Sequence, residues 1–135
     1  MLLEEASSFF KQRFGLDLST ALTNCGSGGV FQDVVSVFRG SIDGRASDIE
    51  RYAAKQDWQD YTVQVHALKS SARLIGAAEL GTMAAALEAL GNRAQDRKDE
   101  EAVRTIQADT GLLLERYRSY KELLAPLCTA SGQGS

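Results

Sequence analysis

At 135 residues the chain suits one domain able to bury roughly two-thirds of the surface its unfolded form exposes, so neither a disulfide nor a metal is needed to hold it. Fifteen basic and 18 acidic residues leave a formal charge of -3 and no broad positive field for nucleic acid or anionic lipid. Cys25 and Cys128 stand far apart, and a single histidine completes no metal cluster with them, so they read as reduced thiols of a cytoplasmic protein.

The opening Met1-Leu2-Leu3-Glu4-Glu5 lacks the basic leader and apolar run of a secretory signal. Nothing in the chain approaches the roughly 18 apolar residues of a membrane span, so any anchor is expected outside it. Leu2, Leu3, Ala6, Phe9 and Phe10 predict a short amphipathic helix ending near Gly15, which makes residues 1–17 a helical extension or linker. Leu18 to Leu22 reads as another brief helical turn. The cluster Asn24-Cys25-Gly26-Ser27-Gly28-Gly29 lacks the lysine and hydroxyl of a phosphate-binding loop and is read as a helix linker.

From there the apolar residues recur at spacings of three and four. Phe31, Val35, Phe38, Ile42, Ala46, Ile49 and Ala53 mark one side of a long helix, with Gly40 and Gly44 expected to weaken or kink its middle. A second helix is predicted from about Trp58 to Ile75, striped by Tyr61, Val65, Leu68, Ala72 and Ile75 and stopped by Gly76. Leu80, Met83, Leu87, Leu90 and Ala94 carry a third, which the charged stretch Arg93 to Glu101 is expected to break into a turn. Val103, Ile106, Thr110, Leu113, Tyr117, Tyr120, Leu124 and Leu127 carry a fourth. The only proline is Pro126, and the small, polar tail 129–135 reads as disordered. Four such stripes joined by short connections predict an all-α antiparallel four-helix bundle over residues 18–128.

No nucleophile, metal or nucleotide constellation of an enzyme is visible. The distinctive residue is His66. At about 100° per residue, the centre of the second apolar stripe points roughly 140° away from it, so the imidazole should face water. Thr62, Lys69, Ser70 and Arg73 share its face, surrounding it with two cations and small hydroxyls. If the second and third helices fold back about Gly76, then His66 and Glu88 each lie about 11 positions from the turn and reach the same height. Tyr117 and Tyr120 fall on the core seam, and Trp58 is expected to pack at the start of the second helix.

The stretch His66-Ala67-Leu68-Lys69-Ser70-Ser71-Ala72-Arg73-Leu74-Ile75-Gly76-Ala77 resembles the phosphorylation motif of histidine-containing phosphotransfer (HPt) domains. Asn24-Cys25-Gly26-Ser27, Asp57-Trp58, Leu87-Glu88 and Tyr117-Arg118-Ser119-Tyr120 are similar to the HPt modules at the C-terminal end of hybrid sensor kinases, and the resemblance runs from about Leu18 to Leu127. It implies a phosphocarrier in a multistep two-component phosphorelay, not an enzyme with its own ATP site. His66 would be the phosphoacceptor, Lys69 and Arg73 the positive field for the transferring oxygens, and Glu88 the carboxylate that orients the imidazole. Gly76 would end the helix. Where the commonest motif has glycine after the lysine, Ser70 keeps the close approach of a partner open.

The implied partners are receiver domains and a sensor histidine kinase, without nucleic acid or direct membrane contact, at the cytoplasmic end of a membrane-bound kinase if attached to one. No resident metal or cofactor is expected, because Mg²⁺ would come on the receiver. The competing reading is a helical bundle that binds partners without being phosphorylated. It would be favoured by a buried His66 or by a ring with both nitrogens blocked.

Overall fold

The computed structural model describes the backbone of residues 28–134 and the side chains of residues 32–126. Four helices make up this span: α1 (Gly28–Lys55), α2 (Trp58–Leu74), α3 (Ala78–Arg97) and α4 (Glu100–Gly134). Each packs on its neighbour in sequence, and α4 closes the ring against α1, giving an all-α antiparallel four-helix bundle. The expected extension over 1–17, the turn at 18–22 and Cys25 lie outside the described residues. Gly28 and Gly29, read as linker, instead open α1. No helix is long and apolar enough to cross a membrane among the described residues.

The heptad-like spacing determines which side each helix buries. Val35, Phe38, Ile42, Ala46 and Ile49 of α1 meet Tyr61, Val65, Leu68 and Ala72 of α2, Leu80, Ala84 and Leu87 of α3, and Ile106, Leu113, Tyr117, Tyr120 and Leu124 of α4 in one core. Each fully buried leucine or isoleucine contributes on the order of 2 kcal/mol. Phe38 packs edge-on against Tyr117 and Tyr120, with ring centroids 5.7 and 6.3 Å away. Across the core, Tyr61 and Thr110 share a 2.7 Å hydrogen bond through their hydroxyls. Burial pushes the Tyr61 phenol up to about 12, so it stays protonated.

The connections are short and locally determined. Gln56, at a φ of 57°, turns the chain from α1 into Asp57, whose carboxylate caps α2 by accepting from the Asp60 N–H at 3.2 Å. Between α2 and α3, Gly76 takes a φ of 81°, its N–H donating to the Arg73 carbonyl while Ala77 N–H reaches back to that of Ala72. These paired bonds close α2 and need a residue without a side chain at Gly76.

α1 runs without a break through Gly40 and Gly44, both of which face open space on its solvent side. The charged stretch from Arg93 does not break α3, which continues to Arg97. Its charges lie on the outer face while Ala94 stays buried, and only Lys98, at a φ of 51°, and Asp99 form the link. Asp99 binds Arg93 through one oxygen and caps α4 through the other, accepting from the N–H groups of Glu101 and Ala102 at 3.1 Å. Those backbone bonds, then Arg93, hold its carboxyl below the usual carboxylate range. α4 continues through Pro126 to Gly134.

Candidate functional site

The antiparallel pairing of α2 with α3 assembles the site. Moving along α2 from Thr62 through His66 to Arg73, the facing residues run back along α3 from Gly91 through Glu88 to Gly81. His66 stands midway, its side chain 57% exposed. Leu87 occupies the core, which turns the next residue, Glu88, onto the flank toward α2.

Glu88 bridges two residues of α2. Its Oε2 lies 2.6 Å from His66 Nδ1 and its Oε1 2.6 Å from Lys69 Nζ. Partial burial pushes the Glu88 carboxyl up, but the bonds from Lys69 and His66 outweigh it and hold the group below its ordinary value. A carboxylate only accepts, so the proton of the shared bond belongs to Nδ1. On a neutral ring Nε2 then carries the lone pair, and it has no protein partner among the described residues. The arrangement is a nucleophilic nitrogen facing outward, with its opposite edge fixed and a lysine ammonium one helical turn away.

The remaining sequence candidates occupy distinct places. Ser70 is exposed one turn past His66. Arg73 rests its side chain on α3 at Gly81, where a Cβ would stand 3.1 Å from Arg73 Cγ. Lys69 is less open than an exposed helical lysine, with only 19% of its side chain accessible, because it lies along the α2–α3 seam toward Glu88.

Thr62, grouped with the open hydroxyls beside His66, is in fact 8% exposed and turned into that seam. It gets there because Gly91 has no side chain, and glycine in a helix interior was the available sequence signal. The condition for a purely interaction-bearing bundle is not met, since the ring is exposed and only Nδ1 is engaged. A cavity of about 440 Å³ opens at the end of the bundle between Trp58, Lys98 and Arg104. None of its walls is a site residue.

No curated protein and no solved structure matches the chain. The family model described as Hpt domain does, over residues 33–120, a span that begins in α1, ends at Tyr120 in α4 and contains His66, Lys69 and Glu88. With the four-helix bundle and more than half of the chain matched, the protein belongs to the Hpt domain family, whose members are phosphocarriers of phosphorelays.

Proposed function

We propose that this domain carries a phosphoryl group on Nε2 of His66, receiving it from or delivering it to the aspartate of a receiver domain downstream of a sensor histidine kinase. The observation that carries the reading is the 2.6 Å contact between Glu88 and Nδ1 of an otherwise exposed ring. In the forward step the Nε2 lone pair attacks the phosphorus of an aspartyl phosphate, the N–P bond forms, and the P–O bond to the aspartate breaks to release its carboxylate. Nδ1 keeps its proton, and the positive charge that develops on the ring faces the Glu88 carboxylate. The reverse step returns a neutral imidazole.

The transferring group spreads negative charge over its equatorial oxygens, so the chemistry is mostly placement and electrostatics. Lys69, already drawn to Glu88, is one turn from the acceptor and supplies positive field, with Arg73 further along the same helix. Ser70 leaves the surface low enough for a receiver to bring its aspartate and Mg²⁺ up to the ring. Incubation with a phosphorylated receiver followed by intact-mass measurement tests the reading. One added phosphoryl group, lost in mild acid and kept in base, supports a phosphoramidate. A group that resists acid would place the modification on a hydroxyl such as Ser70 or Ser71.

A further inference from the structure

Glu88 can bridge His66 and Lys69 only if α3 lies close to α2, and the tightest approach of the two helices that a glycine permits is at Gly91. Gly91, one turn past Glu88, faces Thr62, one turn before His66. A Cβ at Gly91 would collide with Thr62 Oγ1 and stand 3.3 Å from Thr62 Cβ and 3.5 Å from Tyr61 Cδ1. The clash is with Oγ1, which a β-branched side chain in a helix has few rotamers to move aside, whereas the 3.3 Å contact with Thr62 Cβ needs a shift of only a few tenths of an ångström. Thr62 Oγ1 is buried there without a hydrogen-bond partner among the described residues, an unfavourable placement that close approach of the helices imposes. The other glycine of this seam is different. A Cβ at Gly81 meets chiefly the side chain of Arg73, which is long and can move aside.

We infer that Gly91 is a positioning residue for the phosphotransfer site: by carrying no side chain against Thr62, it sets the α2–α3 separation that keeps Glu88 within reach of both His66 Nδ1 and Lys69 Nζ. The inference rests on the phosphocarrier reading for its consequence, but its geometry is independent of any transfer. At 2.6 Å both contacts can lengthen by only about half an ångström before they leave the ordinary hydrogen-bond range, so a larger retreat of α3 breaks them. Glu88 would then loosen from Nδ1, and the ring would lose its fixed tautomer.

The chain has a single histidine, so nitrogen NMR of ¹⁵N-histidine-labelled protein reads this one ring. In the parent, the neutral ring carries its proton on Nδ1. In Gly91→Ala it shifts toward the tautomer mixture of a free imidazole, and phosphoryl uptake falls by roughly 10-fold or more in kcat at little changed KM. Thr62→Ala added to Gly91→Ala makes room for the new methyl group and restores both, whereas Gly81→Ala alone leaves the tautomer unchanged.

Should Gly91→Ala melt too low for measurement, Thr62→Ser beside it lets the hydroxyl turn away, and that variant shows an intermediate tautomer population. A parent-like tautomer in Gly91→Ala or in its Thr62→Ser form, failure of Thr62→Ala to restore it, or an equal shift in Gly81→Ala would each overturn the inference. Absence of phosphoryl uptake by the parent would instead overturn the phosphocarrier reading, and the NMR comparison would be untouched by it.

Discussion

Between α1 and α4 the bundle is filled by large side chains. Phe38, Ile42 and Ile49 meet Leu113, Tyr117, Tyr120 and Leu124, and ion pairs such as Asp43 with Lys121 at 2.9 Å lie on its rim. Between α2 and α3 the contact is made partly by absent side chains, at Gly81 and Gly91, and a polar bridge of His66, Glu88 and Lys69 runs along its edge. Glycines occur in both halves, yet Gly40, Gly44 and Gly111 have nothing within 4 Å of a built Cβ. The same residue type therefore marks a geometric requirement in one half and an unused position in the other. The first half is packed by side chains that fill the core, while the second sets the distances among His66, Glu88 and Lys69.

The largest effect expected from breaking this contrast comes from the stable half. Phe38→Ala removes a ring packed on two tyrosines and should cost about 3–5 kcal/mol, read by denaturant unfolding. The folded fraction should nevertheless keep His66 protonated on Nδ1, since no part of the bridge touches Phe38. A changed tautomer would show that the halves are coupled.

Lys69→Ala tests the other half. Losing its pairing with Glu88 should cost about 1 kcal/mol of stability at most, while phosphoryl uptake from a receiver slows clearly. An unchanged rate would reduce Lys69 to an ion pair of the fold. Smaller still, and opposite in sign, Gly44→Ala should stabilise the protein by about 0.5–1 kcal/mol, because it faces open space in a helix interior. A loss of stability there would mean that the glycine is needed.

The pH dependence is the finest test. Glu88 is held below its ordinary value, so its contribution is fully present above the unfolded-state pKa, near 4.3 for a glutamate. It is lost as the pH falls through the lower folded value. The stability gap between the parent and Glu88→Gln should therefore narrow as the solution is acidified below about pH 4. A gap that stays constant down to strong acid would mean that the carboxylate gains nothing from His66 and Lys69. Asp99 is depressed as well, but it is common to both proteins and drops out of the comparison.

Much of this was legible beforehand because it follows from helical periodicity. The spacing from Val35 to Ile49 and from Tyr61 to Ala72 fixes which faces are buried, and equal distances from the turn bring Glu88 level with His66. Helix ends were harder, since the charges between Arg93 and Arg97 occupy a solvent face and are compatible with helix. The tight seam was least legible. Periodicity put Thr62 beside His66 on the open face, and only the proximity of Gly91 shows that α3 covers it. Nor does spacing reveal that one carboxylate serves both His66 and Lys69, which depends on side-chain reach across the seam.

The central claim is that His66 is the phosphoacceptor, and the most direct measurement compares the parent with His66→Gln after incubation with the same phosphorylated receiver. Glutamine is polar, helix-compatible and has no basic nitrogen, and at so exposed a position it should change stability by no more than about 0.5 kcal/mol. The intact mass of the parent should rise by one phosphoryl group, while the variant, with an unchanged thermal transition, gains none. A variant that still accepts the group would contradict the account.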